Sequence, residues 1–238
     1  MSPLFQEFPS VSSLLSGALL GLSWSYICLR FAAHLRRNRR LSTGYTRKVF
    51  HVLIFLSVVL VQAFGGFVWV CIFGAMVSLV VALAVLAGPG NRFYEAIARE
   101  KDGARRTYFI VIPYFATLIG GLVSSVFFGP LAIVGYLVGG LGDAAGEPVG
   151  TRWGKRQLNN SAGTKTFEGS IGVIVASAVA LVIAIIIRPE FHWNAQTLVA
   201  VPAIAIVCGF VEAFSPRGWD NVPMQIVPTV LAAFLLSK

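Results

Sequence analysis

Two stretches of this chain, Val49–Asn91 and Thr107–Gly142, run for 43 and 36 residues without a single Asp, Glu, Lys or Arg. A hydrocarbon core of about 30 Å takes about 20 helical residues. Each run is therefore too long for one crossing and long enough for two. A turn is available inside each, at Gly65-Gly66 and at Phe128-Gly129-Pro130. Four further uncharged runs, Phe8–Leu29, Ser170–Ile187, Asn194–Val211 and Val222–Ser237, suit one crossing each. The first reads as a span and not a cleaved signal, because its positive charges follow it. The sequence thus predicts an all-α, multi-pass transmembrane helix bundle of about eight spans. It forms one integral membrane domain over 1–238, with polar loops at 34–48, 90–106, 148–168 and 213–221.

Charge agrees with that reading. Charged residues make up 12% of the 238 and apolar ones 56%, whereas a soluble domain has about 25% charged. A disordered chain, a collagen-like chain and a soluble enzyme are excluded. Of the 19 Lys and Arg, 17 fall on one side when eight spans alternate, and only Arg188 and Lys238 fall on the other. The positive-inside rule puts the basic side in the cytoplasm and both termini outside. The net charge of +9 therefore marks orientation, lipid head groups or a phosphate substrate, and not a nucleic-acid polymer. Cys28, Cys71 and Cys208 all lie in apolar spans without close spacing, which argues against a disulfide or zinc framework.

A passive bundle needs no acids, yet eight of the ten lie on the basic side. Glu95, Glu100 and Asp102 sit in a polar loop that reads as a short interfacial helix, a solvated face paired with Arg99, Lys101 and Arg105. The others adjoin apolar spans. In Gly139–Gly150, five glycines surround Asp143 and Glu147. Four residues apart, the two carboxylates share one helix face, and Pro148 is expected to end that helix. Adjacent carboxylates repel unless a cation lies between them. That cation is either a divalent metal, for which Mg²⁺ suits few oxygen ligands shared with phosphates, or a nearby Lys or Arg.

The following loop, Thr151–Ser170, carries Arg152, Lys155, Arg156 and Lys165 beside Gly154 and Glu168. Glycine, cations and carboxylates together can cradle a nucleotide phosphate with its metal. The Walker A spacing is absent. A membrane-surface loop obeying positive-inside is the plainer alternative. Arg47, Lys48 and His51 begin the second span, His51 one turn beyond Arg47, at the level of the acids. Glu212–Asn221 is a tight turn holding two acids, Arg217 and an amide, more than a turn requires. All four segments converge on one membrane face. Such a site suits a reaction between a water-soluble phosphate donor and a membrane-dissolved acceptor.

Those motifs resemble the CTP-dependent lipid kinases, a family that includes phytol kinase, dolichol kinase and CTP-dependent diacylglycerol kinase. The resemblance rests on R-K-x-x-H at Arg47–His51, G-D-x-x-x-x-x-x-G at Gly142–Gly150 and Gly154-Lys155. It continues with K-T-x-E-G-S at Lys165–Ser170 and E-x-x-S-P-R-G-x-D-N at Glu212–Asn221. It covers most of the chain in order, and the late motif favours the phytol kinase branch. The resemblance implies transfer of the terminal phosphoryl of CTP to a prenyl alcohol. It places Mg²⁺ on Asp143, Glu147 and Glu168, with Asp143 also catalytic. Arg47, Lys48, Gly142, Gly150, Arg152, Gly154, Lys155, Lys165, Glu168, Gly169, Arg217 and Asn221 would bind the nucleotide. Asp220 or His51 would take the hydroxyl proton or orient the alcohol. The implied location is a bacterial inner membrane, or its plastid or endoplasmic-reticulum equivalent, with the site facing the cytoplasm.

Two other readings compete. A lipid-phosphate (phosphatidate) cytidylyltransferase would use a similar site and attack the α-phosphorus. A small ion-coupled transporter would use Asp143 and Glu147 as coupling acids. Against the transporter, the acids gather at one face, and no inverted repeat is visible.

Overall fold

The computed structural model describes residues 9–158 and 165–236. Glu7, Lys238 and the centre of the 148–168 loop lie outside the described residues. Among those described there is no strand, only an isolated antiparallel bridge between Gln157 and Thr166. The helices are α1 Val11–Asn38, α2 Thr43–Phe64, α3 Phe67–Ala87, α4 Arg92–Ile97, α5 Tyr108–Phe128, α6 Ala132–Leu137, α7 Asp143–Trp153, α8 Phe167–Ile187, α9 Ala195–Phe214 and α10 Asn221–Leu235. Six helical stretches are long and apolar enough to cross a membrane: α1, α2, α3, Tyr108–Trp153, α8 and α9. α10, at 15 residues, is a shorter apolar helix. Outward faces carry Leu20, Leu83, Leu86, Ile186, Phe210 and Phe234. In water such faces would be a liability, and in lipid they are solvated.

Tyr108–Trp153 is not one rod. The Tyr136 hydroxyl lies 2.7 Å from Ser125 Oγ and donates to the Gly121 carbonyl at 3.2 Å. In a continuous helix, residues that far apart in sequence would be separated by roughly 16–22 Å. The chain folds back through a 3-10 turn at Gly129–Leu131, with Gly129 at φ 53°, the point where the sequence offers Gly-Pro. Gly66, at φ 78°, plays the same part between α2 and α3.

The chain divides into two compact units, 1–112 and 113–238, and the border falls inside α5 just before Pro113. In the first, α1 packs on α2, α3 and α4 through a stripe of small residues that includes Gly21, Ser25, Cys28, Ala32 and Ala33. The Trp24 indole N–H donates to Ser57 Oγ at 2.8 Å, tying α1 to α2. The 90–106 segment breaks into α4 and a 3-10 turn, Glu100–Arg105. It is no simple solvated face: Asp102 is buried and bonded by Arg99 at 3.1 Å. Glu95 is gripped by Arg106 at 2.5 and 3.2 Å, and Arg36 pairs with Glu100. Buried Tyr94, under the Arg106 guanidinium, organises this knot.

In the second unit α8 contacts α7, α9 and α6, while α10 contacts α6 and α9. Backbones approach closely at glycine. A Cβ on Gly135 would lie 2.4 Å from the Gln225 carbonyl oxygen, and one on Gly172 2.8 Å from Val149. Small residues supply the packing that apolar burial cannot drive inside lipid. Residues 132–140 are all buried. Pro148 does not end its helix, contrary to the sequence expectation. α7 runs on to Trp153, because contact with α8 across Gly146, Gly150 and Gly169 holds it despite the lost hydrogen bond.

Candidate active site

Four segments of the second unit meet at one lysine. Lys165 Nζ lies 2.9 Å from Glu212 Oε1 and 3.5 Å from Asp220 Oδ2, and it also donates to the Glu212 backbone carbonyl. Glu212 occupies the last turn of α9, and Asp220 immediately precedes α10. Asp143, the first residue of α7, is buried and adds its charge to the same group. Burial is the largest single influence on the Lys165 ammonium and pulls its pKa down. Glu212, Asp220, the Glu212 hydrogen bond and Asp143 together outweigh it, so the pKa stands above the ordinary lysine value.

Local sequence explains how each side chain arrives there. Before Asp143 the helix widens into a π-turn, Val138–Gly142, in which the Asp143 N–H reaches back to the Val138 carbonyl. Such turns re-aim the following residue and often mark functional sites. Gly142 lies against Ser177, where a Cβ would come within 2.4 Å of its Oγ. Lys165 sits on a closed loop: Leu158 N donates to the Lys165 carbonyl, and Phe167 N to that of Arg156, both at 2.9 Å. Thr166 caps α8, accepting from Gly169 N at 3.1 Å. After Glu212, Gly218 at φ 92° turns the chain so that Asp220 comes back beside Lys165.

The candidate residues separate into groups. Asp143, Asp220 and Lys165 come together. Glu168 Oε2 accepts the N–H groups of Lys155 at 3.0 Å and Arg156 at 3.3 Å, closing the loop base. Gly150, Gly154 and Gly169 serve close packing, since a Cβ on Gly154 would stand 2.2 Å from the Gly150 carbonyl oxygen and one on Gly169 3.0 Å from that of Gly146. Arg152 and Lys155 are exposed, Arg152 over the Trp153 ring, and Arg217 is half-buried in the turn. Asn221 is buried and ties α10 to α5. Arg47, Lys48 and His51 belong to the first unit. There Arg47 donates to the Phe109 carbonyl at 3.3 Å, Lys48 is buried, and the His51 ring lies 4.5 Å from that of Phe55.

Glu212 is the residue that sequence reasoning left out of the site. Its signal was available: it is the acid that ends the uncharged run Asn194–Val211, and an acid so placed needs a partner. Among the described residues no three His, Cys, Asp or Glu are grouped to hold a metal ion. Mg²⁺, however, commonly takes one or two carboxylates and completes its shell with phosphates and water. Asp143 and Glu147, one turn apart on α7, fit that lesser demand.

No protein-family profile matches the chain, and no solved structure matches it. Among curated proteins it is similar to the phytol kinase of Synechocystis sp., 26% identical over 218 residues, which cover 90% of this chain and 89% of that protein.

Proposed function

From kinship with the phytol kinase and polyprenol kinase family, which the similarity supports at family level, we propose that the chain is a membrane lipid kinase. It transfers the terminal phosphoryl of CTP to a prenyl alcohol such as phytol and yields the alkyl monophosphate and CDP. The observation that carries this reading is the convergence of Asp143, Glu212 and Asp220 on Lys165, at the base of a loop whose exposed cations are Arg152, Lys155 and Arg156.

Phosphoryl transfer asks for positioning and charge neutralisation more than covalent chemistry. Lys165, Lys155 and Arg152 neutralise phosphate oxygens. Lys165 has to trade its carboxylate partners for the nucleotide, and Glu212 and Asp220 hold its ammonium in reach until then. Mg²⁺, held by Asp143 and Glu147, would offset the charge of the triphosphate. Glu168 shapes the loop through the Lys155 and Arg156 amides. Asp220 accepts the proton of the alcohol as its oxygen bonds to phosphorus.

In the membrane the same reading assigns about eight spans, counting the α5–α6 hairpin as two and α10 as one. The basic loops and the site face the cytoplasm, and both termini lie on the opposite side. The positive charge on one set of loops supports that orientation.

The deciding experiment uses purified protein in lipid, Mg²⁺, and CTP labelled in separate batches at the α and γ phosphates. Acceptors are phytol, geranylgeraniol, a dolichol, diacylglycerol and phosphatidate. Label reaching lipid from the γ position alone is the expected result. Label from the α position alone would make the protein a cytidylyltransferase and overturn the kinase reading.

A further inference from the structure

Asn221 and Gln225 stand one turn apart on α10, 5% and 0% exposed. Each commits its amide nitrogen fully. Asn221 Nδ2 donates to the Pro113 carbonyl at 3.0 Å and to Thr117 Oγ1 at 2.9 Å. Gln225 Nε2 donates to the Thr117 carbonyl at 3.0 Å and to the Asn221 carbonyl at 2.9 Å. Backbone carbonyls only accept, so neither amide can be turned round. The two side-chain oxygens, Asn221 Oδ1 and Gln225 Oε1, therefore face away from these donors' partners. Neither has a hydrogen-bond partner among the described residues.

A buried acceptor without a donor costs free energy, and more so where no water competes. Two of them, four residues apart on one helix face, make a site that asks for a hydrogen-bond donor. Glycine on α5 lets the Gln225 amide lie against that helix: a Cβ on Gly121 would stand 3.2 Å from Gln225 Oε1, and one on Gly120 2.7 Å from Gln225 Nε2. The chemistry is selective. Carbonyl oxygens accept from a neutral hydroxyl and repel a phosphate or carboxylate, and the amide donors that could have greeted an anion are already spent. Asp220, the residue immediately before Asn221, is the acid that meets Lys165.

We propose that Asn221 and Gln225 form the hydroxyl-recognising end of the acceptor-lipid site, their side-chain carbonyl oxygens taking the O–H of a membrane-dissolved alcohol. This rests on the lipid-kinase reading above and adds its specificity: an alcohol is admitted because it donates, and a lipid phosphate or an ether is refused because it does not.

The test is competition for a photoreactive prenol analogue bound to the full-length protein in lipid nanodiscs. Competitors are geranylgeraniol, its methyl ether and geranylgeranylamine. The alcohol and the amine should displace the probe at least about tenfold better than the ether, the size expected for a lost hydrogen bond to a buried acceptor. In Gln225→Leu the alcohol should lose that advantage while the KM for CTP stays unchanged, and in Asn221→Leu the alcohol should lose it as well. Equal competition by alcohol and ether in the unaltered protein, with γ-phosphoryl transfer intact, would overturn the inference and leave the kinase standing. So would full discrimination retained in both folded variants. Absence of any prenol binding together with absence of phosphoryl transfer would overturn the kinase reading itself. Because the ether comparison needs no variant, the proposal stays open to refutation even where a leucine variant fails to fold.

Discussion

The Arg47 guanidinium donates to the Phe109 carbonyl at 3.3 Å, the carbonyl four residues before Pro113 in α5. Proline has no N–H, so the helix cannot satisfy that oxygen itself. Arg47 thus has a structural task that its place in the R-K-x-x-H motif does not disclose. Arg47→Ala should cost about 2 kcal/mol, as expected for a hydrogen bond to a charged group. In a Pro113→Ala background, where the helical donor returns, the cost should fall by half or more. Chemical unfolding of the four proteins in detergent measures the cycle, and equal costs in both backgrounds would separate Arg47 from the proline.

Removing the ammonium of Lys165 leaves Glu212 buried without its partner. Lys165→Met should destabilise the protein by about 3–5 kcal/mol. The deficit should shrink on acidification, because the stranded carboxylate can then take a proton. In the unaltered protein the Lys165 pKa is raised above the ordinary 10.5. Its contribution is therefore complete below pH 10.5 and is lost as pH rises through the folded value. Melting curves from pH 5 to 11 check both limbs. A variant deficit that did not change with pH would sink the account.

The Glu95 carboxyl is held below the usual range, first by its hydrogen bond from Arg106, with burial opposing and the Gly90 N–H helping. Its contribution is present above the ordinary glutamate value of 4.5 and disappears as pH falls through the lower folded value. Glu95→Gln should flatten the acid limb of the stability profile below pH 4.5 and leave the alkaline limb untouched. Melting in acetate and citrate buffers would show it.

Two glycine replacements should have opposite outcomes. A Cβ at Gly154 would meet the Gly150 carbonyl oxygen at 2.2 Å and Thr166 Oγ1 at 2.9 Å, whereas one at Gly74, inside α3, meets nothing within 4 Å. Gly154→Ala should open the α7–α8 contact and abolish turnover. Gly74→Ala should be neutral or stabilising by up to about 1 kcal/mol. Activity and melting temperature together decide, and an active Gly154→Ala protein would contradict the packing role.

The uncharged runs made the helices legible, because in lipid an apolar stretch of span length has few alternatives to helix. The reversals at Gly65-Gly66 and Gly129-Pro130 were legible for the same reason, as glycine and proline were the available breaks. Asp143, Lys165 and Asp220 stood out as candidates, since charge beside apolar spans is costly without a partner, and the structure brings the three together. What sequence spacing did not reveal is tertiary partnership. Glu212 joins Lys165 from 47 residues away, and Asp102 is buried by Arg99 despite its polar neighbourhood. Pro148 failed as a stop signal because a local rule about proline gave way to the packing of α7 on α8. Gln225 drew no attention as one amide in an apolar helix, and only the placement of α5 beside it reveals its unpaired oxygen.

Residues 132–140 are buried throughout, although α6 belongs to one of the stretches apolar enough to pass for a membrane span. The hydropathy that marks a span here marks a protein interior. The neighbours of these residues are other parts of the chain, so the π-turn that aims Asp143 rests on a wall of fixed composition. A change outside the molecule reaches that turn only by moving the helices packed around it.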